Sequence, residues 1–95
     1  MSPHQSTTRE QRREARRVAT GKVRVSFTDP ELSEIDGKLM DVSASGFRMA
    51  HHFAELQSGQ IVEFSHVEAS GRARVMWNRI LAGGVETGFL VVNAE

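Results

Sequence analysis

Lys22-Val-Arg-Val-Ser-Phe-Thr28 alternates strictly between apolar and polar side chains. Val23, Val25 and Phe27 fall on one face and charged or polar residues on the other, which is the period-two pattern of a half-buried β-strand. Asp29-Pro30 follows directly and marks a turn. This stretch predicts that the chain forms β-structure from Lys22 onward.

Five more short runs continue the pattern, separated by glycine-containing or polar breaks. Six strands at this spacing argue for an antiparallel barrel or sandwich, and closure into a barrel removes the exposed edges of so small a sheet. We therefore predict an all-β fold built as a six-stranded antiparallel barrel. After the first strand, the predicted strands run from about 37 to 42, 46 to 50, 60 to 66, 72 to 77 and 84 to 92.

Size and composition favour one domain without disulfides. A chain of 95 residues with 39% apolar content closes a single core. The absence of cysteine removes disulfides, thiolate metal sites and thiol nucleophiles together. The N-terminus lacks the apolar core of a signal peptide, and no run approaches the roughly 20 apolar residues of a spanning helix. We expect a cytoplasmic protein that does not insert into membranes.

The charges are sorted along the chain, although the formal net charge is zero. Residues 1–25 carry seven Lys and Arg against two Glu, a net charge of +5, and residues 26–95 carry five basic and ten acidic side chains, a net charge of −5. An acidic body repels DNA and RNA, whereas a local basic arm attracts a compact anion. The asymmetry favours a small, multiply charged ligand over a long polyanion.

The segment before the first strand has little that would hold it on a core. Residues 1–8 are polar and aperiodic, so we predict a disordered tail there. Thr7 and Glu10 have the spacing of a helix capping box, but Ala15 is the only apolar side chain between Thr7 and Arg17. Because so short a helix is marginal in water, we expect this arm to stay mobile until a ligand neutralises it.

Two motifs stand apart from the predicted strands: Arg12-Arg13-Glu14-Ala15-Arg16-Arg17 and Asp41-Val42-Ser43-Ala44-Ser45-Gly46. In this order they resemble the paired signature of PilZ domains, Arg-x-x-x-Arg followed by Asp/Asn-x-Ser-x-x-Gly. Gly71-Arg-Ala-Arg-Val-Met-Trp77 and Gly84-Val-Glu-Thr-Gly-Phe89 are similar to the late barrel strands of the same family. The resemblance therefore covers most of the chain.

The resemblance implies a PilZ domain over residues 9–95, with an arginine arm at 9–20 and a barrel at 21–92. Little or no C-terminal helix is expected, because the chain ends about three residues after the last predicted strand. The implied function is that of a non-enzymatic receptor and effector that binds cyclic di-GMP and uses no cofactor. Ordering of the arm would then change the surface seen by an unidentified protein partner.

The register of the arginine motif is ambiguous, because Arg12 and Arg16 have the same spacing as Arg13 and Arg17. Family members commonly place an apolar residue after the second arginine, and Val18 follows Arg17, so Arg13 and Arg17 are the preferred pair. Arg12 then precedes the motif. In this family an arginine there is associated with two intercalated ligand molecules, so a stacked cyclic di-GMP dimer is implied as the alternative stoichiometry.

The residue types suit this ligand. A guanidinium group donates two parallel hydrogen bonds to guanine or phosphate and stacks on a purine. Asp41 can accept from guanine N1 and N2, and Ser43 can donate or accept. Gly46 lacks a Cβ and can adopt a positive φ, which would permit the turn and a close approach of the backbone to the ligand. Trp77 lies where some PilZ proteins place an aromatic side chain near the ligand, although a strand aromatic more often fills the core.

Other interpretations compete with this one. An arginine run in a tail is often a solvated face, and Asp41-x-Ser43 is also a common turn. The main alternative is a PilZ-like protein-interaction adaptor that does not bind nucleotide. His51 and His52 would point to opposite faces of a strand, so we expect no metal site. Ser43 lacks a nucleophile elbow and the chain has no phosphate loop, so no catalytic residue is predicted.

Overall fold

The computed structural model describes residues 15–28 and 31–95. The predicted tail at 1–8, together with Arg12 and Arg13, lies outside these residues. The described residues form strands and no helix. They therefore contain no helix that is long and apolar enough to cross a membrane. The strands are β1 (Arg17–Val18), β2 (Lys22–Thr28), β3 (Leu32–Val42), β4 (Gly46–His51), β5 (Ile61–His66), β6 (Ser70–Leu81) and β7 (Gly84–Ala94).

Six of these strands close an antiparallel barrel. Their neighbour order is β3-β2-β5-β6-β7-β4, and β4 pairs back onto β3. Each barrel strand therefore has a hydrogen-bonded neighbour on both sides, which removes the exposed edges that a small open sheet would present. The predicted six-stranded antiparallel barrel is confirmed.

The extra strand, β1, comes from the end of the arginine arm and was not predicted. Arg17 lies opposite Val42 and Val18 opposite Asp41 of β3. The backbone N–H of Ala19 then donates to the carbonyl of Met40 at 3.2 Å. Main-chain pairing needs no apolar side chain, which is why hydropathy patterning did not reveal this strand.

Two barrel strands, β3 and β6, are much longer than predicted. β3 begins at Leu32 rather than near residue 37, because its first half pairs along the whole of β2, from Thr28 opposite Leu32 to Lys22 opposite Lys38. β6 extends to Leu81, which pairs with Gly84 across a tight turn. These added segments lack a clear alternation of apolar and polar side chains, so the sequence pattern did not predict them as strands.

The core is the inner face predicted from the alternation. Val23 and Val25 are buried, as are Phe47 and Met49 on β4. Phe47 is the centre of an aromatic cluster, with its ring centroid 4.9 Å from that of Phe64 and 4.7 Å from that of Phe89. Burial of these side chains supplies the main stabilisation of so small a domain.

A one-residue bulge in β3 changes which side chain faces outward. Leu39 lies opposite Met49 and Asp41 lies opposite Arg48, which leaves Met40 as the extra residue between them. A bulge reverses the alternation, so Leu39 packs in the core while Asp41, two residues later, shares the outer face with Arg48.

A second bulge acts on β6 in the same way. Val75 lies opposite Phe89 and Trp77 opposite Gly88, which makes Met76 the extra residue. Val75 is fully buried, but Trp77 is 37% exposed. The interpretation of Trp77 as a core side chain is therefore wrong, because the bulge moves it to the outer face of the barrel.

Candidate ligand-binding site

Four strands bring one row of residues together on the outside of the barrel. Asp41 of β3 lies opposite Arg48 of β4, Arg48 opposite Gly88 of β7, and Gly88 opposite Trp77 of β6. Directly opposed residues of antiparallel strands share a face of the sheet. We call these four residues the site row.

Asp41 is the centre of the polar contacts in this row. Its side chain is only 8% exposed. Oδ1 accepts a hydrogen bond from Arg16 Nη1 at 2.7 Å, and Oδ2 accepts from Arg48 Nε at 2.8 Å and also from Arg48 Nη2. Burial by itself would raise the pKa of Asp41, but the hydrogen bonds and charges of Arg48 and Arg16 outweigh it and lower that pKa below its usual value. The carboxylate is therefore ionised and holds two guanidinium groups.

Sequence reasoning did not select Arg48, although a signal for it was present. Arg48 alternates with the buried Phe47 and Met49, so the pattern already placed it on the outer face. A hairpin closed by a tight turn between Val42 and Gly46 also brings the start of β4 beside the end of β3. The bulge at Met40 sets the register that makes Asp41 its partner.

The structure separates the two arm arginines that it describes. Arg16 reaches Asp41, whereas Arg17 bonds to Glu68 in the turn between β5 and β6, through Nη1 to Oε2 at 2.9 Å and Nη2 to Oε1 at 2.5 Å. Arg16 and Arg17 of the first motif thus lie beside the second motif, Arg16 through its bond to Asp41 and Arg17 through the pairing of β1 with β3. In the described part of the chain, Asp41 contacts Arg16 of the arm rather than the preferred Arg17.

The turn of the second motif is closed by its own backbone. Ser43 N–H donates to the carbonyl oxygen of Gly46 at 2.9 Å, and Ser43 Oγ lies 3.5 Å from the same oxygen. A Cβ on Gly46 would lie 2.1 Å from the carbonyl oxygen of Phe89. Gly46 does not use the positive φ that a glycine can adopt, since the described glycines with positive φ are Gly21, Gly59, Gly71 and Gly84. Glycine is required there because β4 and β7 approach closely.

Trp77 and Gly88 form an aromatic surface at the other end of the site row. A Cβ on Gly88 would lie 2.3 Å from Trp77 Cε2 and 2.4 Å from Nε1, so the indole covers the backbone of Gly88. The guanidinium carbon of Arg79 lies 5.8 Å from the indole centroid, within the range of a cation–π contact. A half-exposed indole beside cations can stack a planar base.

The histidines form a separate, structural arrangement. His51 is buried and His52 is exposed, so the two point to opposite faces as predicted. His51 Nδ1 accepts from the backbone N–H of Phe53 at 3.0 Å, which leaves Nε2 to donate to Thr87 Oγ1 at 2.6 Å. Thr87 Oγ1 in turn donates to Asn78 Oδ1 at 2.7 Å. Burial is the main cause that lowers the pKa of His51, which keeps the ring neutral near pH 7.

The fold of the described residues is a closed, PilZ-like β-barrel. Among solved structures it is similar to the Bacillus subtilis inhibitor of motility, MotI/DgrA, with a TM-score of 0.68 over 87% of this chain and 16% sequence identity. The chain spans 43% of the length of that protein. At this identity the likeness concerns the fold alone. No protein-family model and no curated protein matches the chain.

Proposed function

We propose that this protein is a receptor for cyclic di-GMP, and that the ligand binds along the site row beneath the arginine arm. The observation that carries the proposal is the hydrogen bond between Arg16 and Asp41, which joins the two motifs across the outer face of the barrel. An aromatic surface at Trp77 lies in the same row. The proposed ligand residues are Arg12, Arg13, Arg16, Arg17, Asp41, Ser43, Gly46, Arg48 and Trp77.

The chemistry of the row suits a guanine dinucleotide. Guanidinium groups bind guanine O6 and N7 or phosphate through paired hydrogen bonds, and the Trp77 indole offers a stacking face. Asp41 acts chiefly as a positioning residue, because it holds Arg16 and Arg48 in place. A carboxylate has about four acceptor sites, so Asp41 retains capacity for one guanine N–H donor.

The effector part of the proposal concerns the arm. When the arginines of residues 9–20 close over the ligand, the surface beside β1 and β3 changes for a protein partner. The free energy gained from charge-assisted hydrogen bonds must exceed the entropic cost of ordering, which is roughly 1 to 2 kcal/mol for each residue that becomes fixed. The similar protein is described as an inhibitor of motility, and a regulatory role without catalysis is proposed here for this chain.

Calorimetric titration with cyclic di-GMP tests the proposal. We expect Arg17→Ala and Asp41→Ala each to weaken binding by about tenfold or more, the loss of about 1.4 kcal/mol. Arg72→Ala removes an exposed cation of β6 outside the site row and is expected to leave the affinity unchanged. Thermal unfolding of each variant establishes that it folds. Unchanged affinity in both site variants would refute the assignment.

The same titration reports stoichiometry. Two ligands per chain would support an intercalated pair, and Arg12→Ala is then expected to reduce the ratio to one. A ratio of two that persists in Arg12→Ala would contradict that role for Arg12.

The competing function is a protein-interaction adaptor that does not bind nucleotide. One observation favours it: Arg16 and Arg48 are paired with Asp41, and Arg17 is paired with Glu68. Arginines satisfied in this way need no anion to stabilise them. Absence of any binding heat from a folded wild-type protein would favour the adaptor over the receptor.

A further inference from the structure

A second concave surface lies on the barrel apart from the site row. It is a groove of about 1040 Å³, at the upper end of the range for small-molecule sites. Its lining comes from β2, β3, the ends of β4 and β5 and the start of β7, with Val67 from the β5–β6 turn, Leu81 from the end of β6, and the loop residues His52 and Gly83. None of the described residues assigned to cyclic di-GMP lines it.

Two lysines face each other in this groove. Lys22 of β2 lies directly opposite Lys38 of β3, and both side chains are exposed. Lys38 lies opposite Ala50 of β4, and Ala50 opposite Glu86 of β7. Opposed residues share a face, so these four form one row across the groove. The small side chain of Ala50 leaves space between the lysine pair and Glu86.

The other charges that line the groove have partners. Arg24 Nε donates to Asp36 Oδ1 at 3.0 Å, and Glu86 Oε1 lies 3.2 Å from Arg79 Nη2. Neither Lys22 nor Lys38 forms an ion pair with any residue of 15–28 or 31–95. The groove therefore carries two lysines at opposed strand positions, and neither forms an ion pair with a carboxylate of the described residues.

By itself, the opposed pair Lys22 and Lys38 is expected to reduce the stability of the fold. Like charges directly opposite each other on antiparallel strands are destabilising. Departures from local consistency of this kind are expected at functional sites, where a ligand compensates for them. An anion bound between the two ammonium groups would convert their repulsion into a shared attraction.

We propose that the groove is a binding site for a small phosphorylated molecule, with Lys22 and Lys38 holding the phosphate and the apolar walls at Val67 and Leu81 contacting the rest. The exposed His52 lines the same groove and supplies a further hydrogen-bond donor. The lysine pair provides the charge that a phosphate dianion requires. This site is independent of the proposed cyclic di-GMP site.

Inorganic pyrophosphate is the probe for the test, with binding followed by amide NMR shifts and calorimetry at constant ionic strength. We expect saturable shifts at residues 22–24, 36–38 and 50–52. The double variant Lys22→Thr/Lys38→Thr is expected to bind about tenfold more weakly or worse. Its melting temperature is expected to rise by a few degrees, because the repulsion is removed.

The matched control is Arg72→Thr/Arg74→Thr, which removes two exposed cations of β6 outside the groove. It is expected to retain pyrophosphate binding. Its melting temperature is not expected to rise, because Glu63 lies opposite Arg72 and loses an attractive neighbour when Arg72 is replaced. Equal pyrophosphate affinity in the wild type and the lysine variant would overturn the proposal. Failure of the wild type to bind pyrophosphate saturably would also overturn it.

The affinity of each variant for cyclic di-GMP and for pyrophosphate distinguishes this groove from the site row. The lysine variant is expected to keep wild-type affinity for cyclic di-GMP, whereas Asp41→Ala is expected to keep pyrophosphate binding. If the lysine variant lost both ligands while remaining folded, the groove would belong to a single site and the inference of a second one would fail.

Discussion

At Asp41 a nearly buried carboxylate holds guanidinium groups from two separate parts of the chain, Arg16 before β2 and Arg48 on β4. Both oxygens of the carboxylate are engaged. Removing one partner of these part-buried ion pairs is expected to destabilise the fold, because the remaining charge loses its compensation. Asp41 therefore affects the stability of the fold as well as the candidate site. A loss of ligand affinity in Asp41→Ala should be compared with the loss in Arg17→Ala, because the Arg17 side chain is exposed and its removal disturbs the fold less.

Arg17 is paired with Glu68, so under the proposed function Glu68 would compete with the ligand for Arg17. Glu68→Gln removes the charge that holds Arg17, and we expect affinity for cyclic di-GMP to rise about two- to fivefold, since an exposed ion pair is weak. Calorimetry measures the change. Glu55→Gln, an exposed neutralisation in the loop after β4, is the control for net charge. A lower affinity in Glu68→Gln than in Glu55→Gln would show that Glu68 supports binding instead.

Strand irregularities shape the site at the scale of the elements. The extra residues Met40 and Met76 each reverse the alternation of a strand one position before a site residue. In a regular strand of the same sequence, period two would place Asp41 on the same face as Leu39, and Trp77 on the same face as Val75. Bulges commonly re-aim a side chain beside a functional site, and here two of them create one outer row.

The contact between β4 and β7 predicts contrasting effects of two glycine substitutions. Gly46→Ala puts a methyl group 2.1 Å from the backbone oxygen of Phe89, and moving a paired strand is expected to reduce the free energy of unfolding by about 2 kcal/mol or more. Gly83→Ala meets no atom within 4 Å, so we expect a change of about 0.5 kcal/mol or less. Urea unfolding compares them, and equal stabilities would contradict the close approach.

At the scale of the whole molecule, the two candidate surfaces run side by side on the barrel. Ala50 and Glu86 of the groove lie two residues along β4 and β7 from Arg48 and Gly88 of the site row. Arg79 joins the two surfaces, because it pairs with Glu86 and lies over the Trp77 ring.

Buried histidines predict how the stability of the molecule depends on pH. Burial is the main cause that lowers the pKa of His51 and of His66, so the unfolded chain takes up protons more readily. Their contribution is complete above the ordinary pKa of 6.5 and is lost as the pH falls below it. We expect the free energy of unfolding to fall from pH 7.5 to 5.5 by at most about 1.4 kcal/mol per pH unit for each group.

Urea unfolding at several pH values measures this decline. His51→Gln is expected to reduce the slope, because it removes the more buried of the two rings. The depressed pKa of Asp41 acts in a different range, because its contribution is lost only below about pH 4. A stability that is flat between pH 7.5 and 5.5 would contradict the burial of neutral histidine.

The sequence alone determined the all-β class, the six barrel strands and the pair of motifs, because alternation and turn residues are local signals carried by neighbouring positions. Tertiary structure decided the outward placement of Trp77, the partnership of Arg48 with Asp41, and the reason for glycine at 46. Each of these depends on the register between strands that lie far apart along the chain. A single extra residue in one strand changes that register, and no local pattern records it.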